Sequence, residues 1–267
     1  VYEAATTLIG QNILENGKTM GLSSYGLNKN YNPLFWNGNP VTNYFNHSYQ
    51  DNEHVVTFNG LEEYITKDIT KKNYQFYADH AKHVQVETQK ESLKLIEKYV
   101  EKTKIKNVCI AGGYGLNVVA NNFYIKNLPN VNFYFEPLSD DTGISIGAAY
   151  LKYRHITKDN KIKKPKNNFY HYYKDSKINK GTKASVKDVC NLLNKQKSVA
   201  IFEGSAEAGP RALGHRSILF DARNKNCKDL VNKIKNREWY RPFAGVILKE
   251  HFKKYFENDV DKIFHNA

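Results

Sequence analysis

From Val108 to Tyr153 the chain runs strand, glycine turn, helix, strand, aspartate loop, helix without a break, and no other feature limits its fold as much. Val108-Cys109-Ile110-Ala111 reads as a buried strand, Leu116–Ile125 as a helix and Val131–Phe135 as a second strand. Gly143–Tyr153 reads as a further helix, with Gly147, Ala148 and Ala149 small enough for close packing. Such alternation is α/β order. A second α/β segment is expected downstream: a helix at Val186–Leu193, strands at Val199–Phe202 and Ser217–Phe220, a helix near Lys228–Lys235 and a strand at Gly245–Leu248. Upstream, Ala5, Leu8, Ile9 and Ile13 have helical spacing, and a loop follows with Gly17, Gly21 and Gly26. Residues 31–59 suit short strands and turns. One long helix, Tyr74–Thr103, should place Leu93, Ile96, Tyr99 and Val100 on its apolar stripe. Residues 156–183 are rich in Lys, Asn and Tyr without a sustained period and read as a linker.

Composition supports a folded chain. With 40% apolar and 13% aromatic residues among 267, a core can be buried, which excludes a disordered tail. A net charge of +13 suits an anionic substrate or nucleic acid, although evenly spread lysines also make an ordinary solvated surface. Cys109, Cys190 and Cys227 are odd in number and far apart, so neither a disulfide framework nor a zinc site follows. A reducing, cytoplasmic setting is expected, with Cys109 in the core. No run approaches the ~20 apolar residues of a membrane span. The chain opens at Val1 inside a helical pattern and its far end has no stop signal, so a piece of a longer protein is expected.

Arginine usage is the strongest chemical signal. Five of six arginines lie between residues 211 and 241, while the other 34 of 40 basic residues are lysine. A guanidinium grips two oxygens with a rigid fork, where an ammonium is a flexible point charge. The segment Glu207-Ala208-Gly209-Pro210-Arg211-Ala212-Leu213-Gly214-His215-Arg216-Ser217 is followed by Lys235-Asn236-Arg237-Glu238-Trp239-Tyr240-Arg241-Pro242-Phe243. Convergence of the two would build a cradle for a phosphate or carboxylate from Arg211, Arg216, Lys235, Arg237 and Arg241. Surface ion pairs are the plain alternative. His215 could move a proton, or simply hydrogen-bond beside the arginines.

Two further motifs could hold ligands. Gly112-Gly113-Tyr114-Gly115 stands between a strand and a helix, where glycine admits a phosphate or ribose to the backbone. It equally suits a tight turn. Asp141, in Ser139-Asp140-Asp141-Thr142-Gly143, follows a strand and could bind a metal or orient a hydroxyl, or cap the next helix. His80 and His83, one turn apart beside Asp79, could be a metal pair or plain helix surface.

Together these motifs resemble the O-carbamoyltransferases of the nodulation and antibiotic-tailoring type. The resemblance rests, in order, on Gly17-Lys18-Thr19-Met20-Gly21-Leu22-Ser23-Ser24-Tyr25-Gly26; on Gly112-Gly113 with Leu116-Asn117 and Ala120-Asn121; on Asp141-Thr142-Gly143 with Gly147-Ala148-Ala149; and on the two arginine segments. It implies an actin-like ATPase (RNase H-like) domain portion at residues 1–155. A portion of a small α/β domain, similar to threonylcarbamoyl-adenylate synthases, would fill 184–267. In such enzymes carbamoyl phosphate is cleaved, its carbamoyl group is joined to AMP from ATP, and the adenylate reacts with an acceptor hydroxyl near a divalent metal, iron. Arg211, Lys235 and Arg241 match catalytic positions, and with Arg216 and Arg237 they would bind carbamoyl phosphate. Gly112, Gly113 and Asn117 match the nucleotide turn, and Asp141 a metal ligand. On this resemblance the family's paired metal histidines are expected in an N-terminal region outside this chain, and His80 and His83 do not match them. Two alternatives stand beside this: an actin-like kinase, which would release ADP, and a basic module that binds nucleic acid through Lys and Tyr.

Overall fold

The computed structural model describes residues 1–50, 53–159 and 181–256. The expected linker lies mostly outside them. The chain forms two compact units. The first comprises Val1–Val108, Asn117–Asn132 and Tyr240–Pro242, and the second Cys109–Leu116, Phe133–Trp239 and Phe243–Ala267.

The first unit is built on helix α3 (Tyr74–Thr103), a 30-residue run without Gly or Pro that ends at a left-handed Lys104. Helices α1 (Tyr2–Leu8) and α2 (Asn16–Ser23) pack on it, together with α4 (Val118–Asn127). Ala4, Ala5, Leu8 and Ile9, together with Tyr77, Ala78, Ala81 and Val84 of α3, are buried in the core where α1 packs on α3. The buried face of α3 is therefore its N-terminal half. Leu93, Ile96 and Val100 are only partly covered and Tyr99 is exposed, contrary to the expected stripe, because the packing helices reach only the first turns.

The expected loop with Gly17 and Gly21 is instead α2. Tertiary packing overrides glycine's poor helix propensity here. Thr6 and Thr19, both fully buried, share a 2.8 Å hydroxyl contact, and Thr6 Oγ1 donates to Asn16 Oδ1 at 2.6 Å. Short antiparallel pairs complete the unit: β1 (Phe35–Trp36) with β2 (Asn39–Pro40), and β3 (Phe45–Gln50) with β4 (Glu53–Phe58).

Strand β5 (Asn107–Ile110) pairs with β6 (Asn132–Phe135) in a two-stranded sheet. Cys109 faces outward and is exposed, which corrects its expected place in the core: this sheet leaves that face of β5 uncovered. Helix α5 (Ile144–Thr157) follows in the second unit, and none of its residues is buried. Its Gly147 has no atom within 4 Å of a notional Cβ, so the expected close packing is not realised among the described residues.

Helix α6 (Val186–Asn194) starts at a capping box in which Ser185 and Asp188 serve each other's backbone N–H. Strands β7 (Val199–Phe202) and β8 (Arg216–Leu219) pair antiparallel, with Phe202 opposite Arg216. Helix α7 (Cys227–Ile234) and a short α8 (Phe252–Tyr255) follow. Residues 245–248 form no strand, since they have no neighbouring strand to pair with among the described residues.

Candidate functional site

In the second unit three motif glycines each bring their backbone against one short segment, Pro137-Leu138-Ser139, just after β6. A Cβ on Gly209 would lie 2.7 Å from the Pro137 carbonyl oxygen, and Gly209 has φ +83°. One on Gly143 would lie 2.1 Å from the Leu138 oxygen, and one on Gly115 3.2 Å from Ser139 Oγ. Real side chains do not fit at the first two distances. The glycine turn, the aspartate loop and the arginine segment thus converge. Pro137 and Leu138 carried no chemical signal in the sequence, and Ser139 stood only as the first residue of the aspartate motif. Their importance is steric and arises only when the three glycines close on them.

Arg211 completes the convergence. Its Nη2–H donates to the Leu116 carbonyl at 2.8 Å, at the end of the Gly113–Leu116 turn. The side chain is exposed and its other donors have no partner among the described residues. A guanidinium tethered by one N–H keeps a fork free for an oxyanion. Gly112 takes φ +87°, and neither it nor Gly113 has an atom within 4 Å of a notional Cβ, so the turn faces open space.

In the aspartate loop, the capping role falls to Asp140. Its Oδ1 accepts the Thr142 N–H at 3.0 Å and also the Thr142 hydroxyl. Asp141 is exposed, and its carboxylate has no hydrogen-bond partner among the described residues. Ser139 Oγ, in the same loop, is buried and likewise unpartnered. No group of three His, Cys, Asp or Glu side chains able to hold a metal occurs among the described residues. Asp141 alone does not make a metal site.

The remaining arginines divide by task. Arg216 donates to the carbonyls of Glu203, His215 and Gly204 at 2.9–3.0 Å and lies 3.4 Å from the Phe202 ring centroid. That guanidinium holds its own hairpin. Arg223 grips Asp221, with the shortest contact at 2.6 Å, which is the ion-pair alternative realised at one position. Lys235 ends α7 and is exposed, and Arg237 sits 5.2 Å from the Phe243 ring centroid. Arg241 belongs to the first unit, where Tyr240 is 1% exposed and Pro242 Cδ lies 3.1 Å from a notional Cβ on Gly21 of α2. Arg211 is therefore the residue of the proposed cradle that shares the glycine turn, while Lys235 and Arg237 cluster at the end of α7.

Asn117 also belongs to the first unit. Its Oδ1 accepts the Ala120 N–H at 3.0 Å and its Nδ2 donates to Gln85 Oε1 at 2.9 Å. It is buried and fixes the start of α4. His215 donates through Nδ1 to the Ser205 carbonyl at 2.7 Å, a structural task.

The sequence assigned no role to Glu207. Its Oε1 accepts the N–H groups of Leu213, His215 and Arg216 at 2.8–2.9 Å, folding the arginine loop around one carboxylate. Burial alone would raise that carboxyl. The N–H groups of Arg216, Leu213, Glu207 itself and His215 outweigh it and lower it from 4.5 to about 2.

The histidine pair on α3 is not free surface, and no third His, Cys, Asp or Glu joins it in a metal-holding group among the described residues. His80 Nδ1 bonds the Phe76 carbonyl at 2.9 Å and His83 Nε2 bonds that of Asn32 at 3.0 Å. Both rings pack on Tyr31, and burial lowers both pKa values.

Comparison with known proteins defines the class. Residues 1–150 match the family described as Carbamoyltransferase N-terminus, and residues 190–266 match Carbamoyltransferase C-terminus. The chain belongs to the carbamoyltransferase family. Among its relatives is an uncharacterized protein of Synechocystis sp., 33% identical over 208 residues, which cover 68% of this chain and 33% of that protein. Nodulation protein U of Azorhizobium caulinodans is 32% identical over 156 residues, covering 57% and 28% respectively. An uncharacterized protein of Methanocaldococcus jannaschii is 26% identical over 276 residues, covering 96% and 52%. The chain thus spans between about a quarter and a half of these relatives' length. Among the described residues no helix is long and apolar enough to cross a membrane.

Proposed function

We propose that the protein transfers a carbamoyl group from carbamoyl phosphate, through a carbamoyladenylate made with ATP, to a hydroxyl of a small-molecule or sugar acceptor. The observation that carries this is Arg211, held to the glycine turn by one N–H with the rest of its fork uncommitted. As the carbamoyl C–O bond breaks, phosphate departs with the electron pair, and a guanidinium stabilises the growing charge. One water is consumed. The carbamate oxygen then bonds to the α-phosphorus of ATP, and pyrophosphate leaves. The acceptor hydroxyl oxygen bonds to the carbamoyl carbon, its proton is lost, and AMP departs with the electron pair.

Lys235, Arg237 and Arg241 are assigned as further cations for carbamoyl phosphate. Arg216, with three carbonyls on its guanidinium, supports the loop that presents Arg211. Gly112 and Gly113 would admit the nucleotide, with Asn117 assigned as a positioning residue. Asp141 could give one ligand to a divalent metal such as iron. The described residues offer no companion donors, so no step is assigned to a metal. In domain terms, residues 1–155 would belong to an actin-like transfer domain and 184–267 to an adenylate-forming domain, joined by 156–183. ATP and carbamoyl phosphate as substrates fit a cytoplasmic setting.

Incubation with ATP and carbamoyl phosphate, followed by nucleotide separation, tests this. Pyrophosphate should form together with carbamoyladenylate, which water hydrolyses to AMP in the absence of an acceptor. Both should form about 100-fold more slowly in Arg211→Ala, the scale of losing one transition-state donor. Release of ADP would identify a kinase instead.

A further inference from the structure

The first unit holds a second, separate candidate site, a cavity of about 410 Å³ between α3 and the loop from Leu27 to Pro33. That volume suits a small organic molecule. Lys82, Val86 and Lys90 recur every fourth residue, so they form one ridge of α3 along the cavity, and Lys29 lines it from the loop. Leu27 and Val86 supply apolar surface.

The charges do not balance. Lys29 Nζ lies 4.0 Å from Asp79 Oδ2, a distant pair, while the Leu27 N–H and Gln75 Nε2 hold Oδ1 at 2.7 Å each. Lys90 is 3.9 Å from Glu87, the acid lining the cavity. Lys82 has no acidic partner among the described residues. Three lysines against the carboxylates of Asp79 and Glu87 leave the cavity with an excess of positive charge, which an anion offsets.

The walls are fixed in advance. A Cβ on Gly26 would sit 2.1 Å from the Ala78 oxygen and 2.5 Å from Lys82 Cβ, so the loop is seated directly on the helix. His83 donates through Nε2 to the Asn32 carbonyl, which pins the loop a second time and leaves Nδ1 as an acceptor for a ligand hydroxyl.

We propose that this cavity binds a small organic anion, a phosphate or carboxylate carried on a compact apolar body, through Lys29, Lys82 and Lys90. The inference stands apart from the carbamoyl reading, since it uses none of the same residues.

Calorimetric titration with phenyl phosphate, benzoate and the neutral benzyl alcohol tests it. At least one anion should bind saturably and benzyl alcohol should not, and whichever anion binds identifies the head group. Lys82→Gln with Lys90→Gln should weaken binding at least tenfold. Lys29→Gln, on the loop and away from the helix, should weaken it in the same direction if the helix variant loses its thermal transition. Arg211→Ala should bind within twofold of the parent. Failure of both anions, equal binding of benzyl alcohol, undiminished binding by the folded lysine variants, or loss in Arg211→Ala would each overturn the proposal.

Discussion

Glu207 lies inside the densest motif of the chain, yet its task is visible only in three dimensions. Three amides from residues six to nine positions downstream meet on one carboxylate oxygen. Because its folded pKa, about 2, lies below the ordinary 4.5, the order it lends the loop is complete above pH 4.5. That order is lost as pH falls through about 2. The amide proton shifts of Leu213, His215 and Arg216 should therefore titrate together near pH 2, and a common midpoint near 4.5 would contradict the arrangement. In Glu207→Gln the three amides lose an ionised acceptor, a change of ~1–3 kcal/mol for hydrogen bonds to a charge. The concentration of arginine was legible in the sequence. Which arginine stays available was not, because Phe202, Asp221 and three carbonyls claim their guanidinium partners only in the folded chain.

At the scale of elements, one motif contains two glycines with opposite roles. Gly26 touches the α3 backbone, with the Ala78 oxygen 2.1 Å from a notional Cβ, whereas Gly17, inside α2, has nothing within 4 Å. Gly26→Ala should cost ~1–3 kcal/mol through overpacking, with more if the loop cannot shift. Gly17→Ala should be neutral or stabilise by ~0.5–1 kcal/mol, since alanine favours a helix. Urea midpoints of the two variants measure this, and equal shifts would contradict the packing described. The extent of α3 was legible because its 30 positions carry no breaker, although its buried face was not. Spacing missed α2, whose glycines read as a loop and whose helix depends on the buried Thr6–Thr19 contact. The three candidate site loops were legible as motifs. Their meeting point at Pro137-Leu138, beside Ser139 of the aspartate motif, was not, since a proline and a leucine have no pattern until glycines close on them.

For the whole molecule, α/β order and two family segments follow from the sequence, while the sheets are pairs of strands that no spacing rule foretold. Helix α5 illustrates the difference. Ile144, Leu151 and Ile156 have helical placement and apolar character, yet they are 64%, 67% and 65% exposed. Amphipathic spacing reports that a face can be buried, and the neighbours decide whether it is. Leu151→Glu should therefore change thermal stability by no more than about 0.5 kcal/mol, as exposed positions do. A loss of ~2 kcal/mol or more would mean that this face is covered in solution.

The most direct measurement is calorimetric titration of carbamoyl phosphate into the protein and into Arg211→Ala. Saturable binding that weakens at least tenfold in the variant, with its fold intact, is the expected result. Binding of equal strength in both would show that the guanidinium tethered to Leu116 is not the phosphate ligand.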